Sequence, residues 1–359
     1  MVLLLSLPDR CKHCNYFINC GSHSSTSKEG HDFVGDQGFS AGGKPVESRD
    51  SSTIPEPLYQ TARLYERTSS YKFDLNQNGT DIVRRLHFFP FMSPTNLSVA
   101  RFNVSASGFS LLTNYIIRNI SSSPTIEEFL VTNPERRFKI YLVPYQSSLA
   151  FVNALEVFLA PERFIPDKAT TVSSKGNNSA GSGLISKVLH TIHRIDVGRS
   201  TSNRLDDLWR NWLPDDSYLL NPGDASQMFK DVTPTYLPEL ITKYIAPVFV
   251  VQTVKHLNSG DSSGNSSLPN ITWKFPVNKN AKHFIRFHFC DIASSTYNDL
   301  WFNLYIYSNF RQEIDPFNKI QLLAAPFYVD FEVDSDDSGF IKLSTVPLRK
   351  LVFPFDTLI

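Results

Sequence analysis

The sequence predicts an all-β protein of two tandem β-sandwich domains, jelly-roll-like in kind, and three observations carry that expectation. Apolar side chains alternate with polar ones, aromatic residues are abundant, and the chain matches itself at an offset of about 200 residues. Successive side chains of a strand point to opposite faces, so a period of two marks a strand with one side toward a core. Broad rings pack well on a pleated surface, and the chain has 28 Phe and 14 Tyr. A long internal repeat means one folded unit encoded twice.

The strands follow in order. Tyr71, Phe73 and Leu75 alternate with Lys72 and Asp74, and Phe138, Ile140 and Leu142 form another apolar face. In the second half Ile271, Trp273, Phe275 and Val277 repeat the pattern, as do Phe302, Leu304 and Ile306. Leu237–Ile245 is the one helix candidate, with Leu240/Tyr244 and Ile241/Ile245 at i, i+4 spacing and Pro247 expected to stop it. Ser22–Asp50 and Asn258–Leu268 read as long polar loops.

The repeat aligns Val83–Phe91 with Phe284–Ile292, which superposes Arg85 on Arg286 and His87 on His288. Phe102-Asn103-Val104 then falls on Phe302-Asn303-Leu304, Glu128–Val131 on Asp330–Val333, and Val143-Pro144 on Val346-Pro347. Upstream, Tyr16–Gly21 matches His193–Gly198. The Ser/Gly/Asn/Thr-rich stretch Thr170–Gly183 has linker composition. The expected limits are residues 1–14 as a truncated leader, 15–162 as the first domain, 163–190 as linker and 191–359 as the second domain.

Composition bounds the function. The chain has 359 residues, 41% hydrophobic and 19% charged, which suits two globular domains. Its 35 basic residues balance 35 acidic ones without a Lys/Arg block, so nucleic acid lacks its electrostatic footprint. No stretch approaches the roughly 18 apolar residues of a membrane span; the best, Ile245–Val251, contains Pro247. Val2–Leu7 is a short apolar run with no basic residue before it, read as the stump of a signal peptide. Asn-x-Ser/Thr sequons at Asn78, Asn96, Asn103, Asn119, Asn177, Asn265 and Asn270 are glycosylation candidates and support secretion.

The order of several segments resembles the extracellular region of plant malectin-like receptor kinases, the FERONIA-related group. In the first copy these are Ile18–Gly21, Val83–Phe91 and Ala150–Val157; in the second, Trp212–Tyr218, Ile245–Ala246–Pro247, Asn270–Phe275 and Ile285–Cys290. The resemblance implies two malectin-like sandwiches displayed at the plasma membrane toward the cell wall. It also implies sensing of secreted cysteine-rich peptides together with a lipid-anchored co-receptor, and binding of pectin is a further possibility proposed for relatives. The family carries a membrane span and a kinase; neither is expected within these residues, and the chain is expected not to be an enzyme. The second copy is also expected to lack a closing strand like Ala150–Val157, because Leu348–Ile359 holds no Asn-x-Leu-Glu equivalent. Three large apolar side chains left uncovered, at about 1.5–3 kcal/mol each, would make that domain marginal, as in a receptor fragment without function.

Signals for chemistry weaken against simpler readings. Gly38-Phe-Ser-Ala-Gly42 fits a nucleophile elbow but lacks the flanking strand and helix, and reads as a loop. Cys11, Cys14, Cys20 and His23 have a zinc-like spacing, yet Cys20 lies in an expected core strand, where a buried thiol or disulfide fits better. Cys290 likewise reads as a core residue, and four cysteines allow three pairings. His190-Thr-Ile-His193 lacks the Glu of a zinc-protease helix. Glu127/Glu128, Asp206/Asp207 and Asp215/Asp216 are adjacent and so point apart rather than cooperate. Asp334–Gly339 hints at calcium but has Thr345 where the twelfth-position Glu belongs, and reads as a hairpin turn. No catalytic residue, metal site or cofactor is expected. Trp209, Trp212, Tyr218 and Tyr236 are candidates for ligand contact, since rings stack on sugar faces, with burial in the core as the competing reading.

Overall fold

Residues 15–75, 80–117, 123–133, 135–161, 164–199, 204–258, 270–297 and 299–348 are described by the structure, a computed structural model. The first copy contributes β1 (Tyr16–Asn19), β2 (Thr26–Lys28), β3 (His31–Gly35), β4 (Lys44–Glu47), β5 (Thr61–Tyr65), β6 (Ser69–Asp74) and β7 (Thr80–Phe88). It continues through β8 (Phe102–Ala106), β9 (Phe109–Tyr115), β10 (Thr125–Asn133), β11 (Arg137–Pro144), β12 (Ala150–Val152) and β13 (Ala154–Leu159). Between the copies run β14 (Lys168–Val172), β15 (Asn178–Ser182) and β16 (Val188–His190). The second copy holds β17 (Ile195–Asp196), β18 (Arg204–Leu205), β19 (Asn211–Pro214), β20 (Ala225–Phe229), β21 (Thr253–Leu257) and β22 (Ile271–Pro276). It ends with β23 (Lys282–Phe289), β24 (Phe302–Ile306), β25 (Phe310–Ile314), β26 (Phe327–Asp334) and β27 (Phe340–Pro347).

Two units result. In the first, a seven-stranded sheet ordered β16-β10-β7-β13-β1-β3-β2 is accompanied by β6-β11-β8-β9 and by β12-β5-β4. Alternation works as expected: Phe138, Ile140 and Leu142 of β11 are buried while Lys139 and Tyr141 face water. Val83–Phe88 of β7 and Ala154–Phe158 of β13 are buried, and among their apolar residues stand Arg84, Arg85, His87 and Glu156, the last three in an ionic cluster described below.

In the second unit β22-β27-β24-β25 reproduces β6-β11-β8-β9, with Phe302 opposite Pro347 as Phe102 is opposite Pro144. Arg286 stands opposite Asp330 as Arg85 stands opposite Glu128. β17 runs parallel to β19 as β1 runs parallel to β3. The duplication is therefore one of strand register, not of composition.

Four expectations are corrected. The 163–190 segment does not behave as a linker: β14 and β15 form a hairpin that extends β26 in the second unit, and β16 pairs with β10 in the first. The first unit accordingly runs to Pro166 and takes back Leu184–Thr191, while Asp167–Gly183 belongs to the second. Small polar residues are poor at filling a core, but an edge strand needs only its backbone bonds. The stretch 22–50, expected as loop, holds β2, β3 and β4. Residues 237–246 form turns, and the helix starts after Pro247 instead, as α1 (Val248–Val251); proline's fixed φ suits the start of a helix and not its end. The Asp334–Gly339 turn joins β26 and β27, which lie in different sheets, so it is a crossover between layers rather than a hairpin. A second short helix, α2 (Pro316–Ile320), is capped by Asp315.

Candidate functional site

A buried carboxylate organises each unit at the same place. After β1 the chain turns at Gly21, whose φ is +77° and whose position would set a Cβ 2.1 Å from the Ala62 carbonyl oxygen. Only glycine fits there. The Gly21 amide donates to Asp36 (2.9 Å), Tyr71 donates its hydroxyl to the same carboxylate (2.9 Å), and Arg63 binds it through two nitrogens, each at 2.5 Å. The second unit repeats this: Gly198 has φ +85°, its Cβ position lies 2.2 Å from the Val254 carbonyl oxygen, and its amide donates to Asp215 (3.0 Å). Trp273 takes the role of Tyr71, donating Nε1–H to Asp215 at 2.8 Å, and Lys255 takes that of Arg63. Burial holds the Asp215 carboxyl above its ordinary range, against the Trp273 and Gly198 bonds that pull it down. A charge this enclosed fixes strands and meets no ligand.

The second duplicated cluster is ionic and partly lost in the second unit. Arg85 donates to Glu128 (2.7 Å) and to Glu156 (2.8 Å), and Glu156 also bonds His87 Nε2 (2.8 Å), whose Nδ1 bonds the Tyr59 hydroxyl (2.9 Å). Burial pushes the Glu156 carboxyl up, but the His87 and Arg85 contacts together outweigh it and hold it below the ordinary value of 4.5. In the second unit Arg286 grips Asp330. His288 keeps the place of His87, but its buried Nδ1 meets no hydrogen-bond partner among the described residues. Burial, with Arg286 and Arg210 nearby, pushes its pKa down to about 3.

The four candidate contact rings do not form one platform. Trp212 is 4% exposed, donates Nε1–H to Asp206 (2.8 Å) and packs edge-on against Phe249 and His288. Tyr218 stacks on Phe275 (4.8 Å between centroids) and lies edge-on to His193. Tyr236 donates its hydroxyl to the Ala246 carbonyl at 2.6 Å. Trp209 is half-buried on a left-handed residue, φ +55°. Trp212, Tyr218 and Tyr236 thus each have protein against the ring or at its polar tip, and Trp212 belongs to the core.

The other motifs resolve in simple ways. Ser40 Oγ donates to the Gly42 carbonyl (2.8 Å) and touches the Tyr65 hydroxyl (3.1 Å) in a loop. Cys20 is a buried thiol in the first unit's core and Cys290 a half-buried one, its pKa pushed up to about 12 by burial. Cys11 and Cys14 lie outside the described residues, and His23 bonds Gln37. Among the described residues no cluster of three His, Cys, Asp or Glu side chains could hold a metal. Glu127 serves Tyr115 and His190 while Glu128 serves Arg85 and Thr191. Asp206 faces Arg210, whereas its neighbour Asp207 faces Lys243. Asp215 is buried and Asp216 exposed, joined only through Lys255. Of the sequons, Asn96, Asn177 and Asn270 are exposed, while Asn103 is half-buried with its Oδ1 taken by the Asn114 amide (2.7 Å). Asn78, Asn119 and Asn265 lie outside the described residues.

The structural role of Asp36 and Asp215 escaped the sequence reading, which weighed Asp215 only as a carboxylate pair with Asp216. A usable signal existed: each follows its turn glycine by a similar interval, 15 and 17 residues.

Known proteins are similar over nearly all of this chain. Among curated proteins of Arabidopsis thaliana, it is 37% identical to the probable receptor-like protein kinase At2g23200 over 96% of its length, and 36% identical to At5g24010 over 93%. It is 31% identical to receptor-like protein kinase THESEUS 1 over 93%. The chain spans about two fifths of the length of these relatives, 40–41%. Among solved structures, the ANXUR1 extracellular domain of the same plant superposes with a TM-score of 0.82 at 21% identity, covering 95% of this chain and 93% of that one. The plant receptor-like kinase FER gives 0.78 at 22%, covering 96% and 93%; FER has also been solved in complex with the plant peptide RALF23 and LLG2. The described chain is accounted for by ectodomain and not by kinase. With a family model matched over residues 18–353, the chain belongs to the malectin-like domain family, in the ectodomain form found in plant receptor-like kinases.

Proposed function

We propose that this chain is an extracellular recognition region that senses a secreted peptide or partner protein at the plant cell surface. The observation that carries the reading is the likeness of 96% of the chain to FER in the assembly with RALF23 and LLG2. Two features agree with it. The buried charges at Asp36, Arg85, Glu156, Asp215 and Arg286 are paired inside the units, leaving binding to the surface. No helix among the described residues is long and apolar enough to cross a membrane, so the described residues are of the kind such a region displays outside the bilayer. By the same analogy the partners are a cysteine-rich peptide and a lipid-anchored co-receptor.

Peptide recognition uses a partly apolar contact of roughly 800 Å² per partner, with weak salt dependence. Pectin fragments carry dense negative charge, and their binding falls steeply with salt. The secreted chain titrated with a cysteine-rich peptide and with oligogalacturonide at two salt concentrations separates the readings. Salt-tolerant binding of the peptide is expected. Binding of oligogalacturonide alone would replace peptide sensing with wall binding, and silence toward both would reject recognition by this chain.

A further inference from the structure

Each unit sets two lysines against each other at the same place. In the first, Lys72 of β6 stands directly opposite Lys139 of β11. In the second, Lys274 of β22 stands directly opposite Lys342 of β27. The positions are equivalent. Tyr71 and Trp273, which bind the buried carboxylates, immediately precede Lys72 and Lys274. They pair with Ile140 and Leu343, the residues that immediately follow Lys139 and Lys342.

Both pairs are of the closer cross-strand kind. The Lys72 amide donates to the Phe39 carbonyl, away from β11, and the Lys342 carbonyl accepts from the Tyr307 amide, away from β22. Opposed residues that exchange no backbone bond have Cα atoms only about 4.5 Å apart. Like charges so placed destabilise a sheet, yet the arrangement occurs in both units. All four lysines are exposed. Among the described residues none of them has an ion pair; Lys139 lies near the Tyr141 ring and Lys274 over that of Phe340, neither of which carries a full negative charge. The carboxylate two residues along β6, Asp74, is held by Arg136 and Arg137.

We propose that each lysine pair is a docking point for a carboxylate of a partner protein, so that the outer face of each of these sheets receives an acidic protein surface. One carboxylate between two ammonium groups is attracted by both and relieves their repulsion, which it cannot do at a single lysine. A sheet face is broad rather than concave, which suits a protein surface better than a small molecule. In the first unit the exposed Tyr141 ring beside Lys139 adds an amphipathic contact of the kind enriched at protein interfaces. The inference rests on the recognition reading and adds the charge of one partner. The contact with a cysteine-rich peptide is a separate one, so its titration succeeds or fails independently.

The probe is hexaglutamate, added to the full secreted chain with a carbodiimide, which joins touching ammonium and carboxylate groups as amides with loss of water. Peptide mapping locates the adducts. Lys72 or Lys139, and Lys274 or Lys342, should be modified about tenfold or more over Lys175 and Lys319, exposed lysines outside both pairs. In titrations, Lys72→Ser with Lys139→Ser, and Lys274→Ser with Lys342→Ser, should each weaken hexaglutamate binding, and all four together by about tenfold or more. Retained melting transitions show that these variants are folded. Absence of binding, even modification of all exposed lysines, or undiminished binding by the four-lysine variant would overturn the proposal and make the pairs parts of a solvated face. Binding of oligogalacturonide but not of hexaglutamate through the same lysines would overturn it in favour of an acidic polysaccharide.

Discussion

Arg286 holds Asp330 by two parallel hydrogen bonds, Nε to Oδ1 and Nη2 to Oδ2, each 2.8 Å long, at the register where Arg85 faces Glu128 in the other copy. Arg85 divides its guanidinium between carboxylates from two neighbouring strands. The fork geometry of Arg286 puts two bonds on one partner. Removing that partner leaves a largely desolvated cation, so Asp330→Asn is expected to cost the second unit about 3 kcal/mol, seen as a lowered melting transition of that unit alone.

Glu156→Gln strips the first unit of the anion between His87 and Arg85. A loss of about 3 kcal/mol is expected in urea unfolding at neutral pH. The same carboxylate gives a pH signature. Its folded pKa lies below the ordinary 4.5, so its stabilisation is present above the unfolded value and is lost as pH falls through the folded one. Acid titration of stability should therefore be shallower in Glu156→Gln than in the parent chain; parallel curves would contradict the role given to this residue.

Gly21→Ala and Gly198→Ala each combine a left-handed backbone with a Cβ driven into a carbonyl oxygen. Loss of the affected unit is expected, read as failure of secretion or disappearance of its melting transition. Gly30 has a similar φ, +83°, with nothing within 4 Å of its Cβ position. Gly30→Ala carries only the conformational cost, about 1–2 kcal/mol. Comparing these variants separates close approach from backbone strain.

Trp212→Ala should behave as a core truncation, lowering stability by about 3–5 kcal/mol and exposing Asp206 to no donor from the indole. Trp209→Ala, at a half-buried ring, should cost less in the same melt. Equal losses would place both rings in the core.

Glycopeptide mapping of the chain secreted from plant cells should find glycan at Asn96, Asn177 and Asn270, whose side chains are exposed. Asn103 should be bare, because it is half-buried beside the β8–β9 pair while the other three are exposed.

The duplication was legible because its carriers are unusual residues at fixed spacing: Arg85 and His87, Arg286 and His288, and the glycines that end the first strands. Residue identity at those positions survives in both copies, so even a short match finds the register. The hairpin Lys168–Ser182 was not legible, since Ser, Gly and Thr satisfy a linker and an edge strand equally. Nor was the helix after Pro247, where the i, i+4 spacing of Leu240 and Tyr244 outweighed the stronger preference of proline for a helix start. The fates of Tyr218 and Tyr236 depended on partners outside their own segments, Phe275 and Ala246, and periodicity carries no information about those.

The segment between the copies has a consequence for any attempt to divide the molecule. Thr170 lies against Phe331 and His190 against Phe129, the same strand position in either half. One stitch of chain thus finishes the hem of both sheets, the later residues serving the earlier half and the earlier residues the later half. No single scissor cut between Pro166 and Thr191 yields two whole halves, because each would carry away thread that belongs to the other.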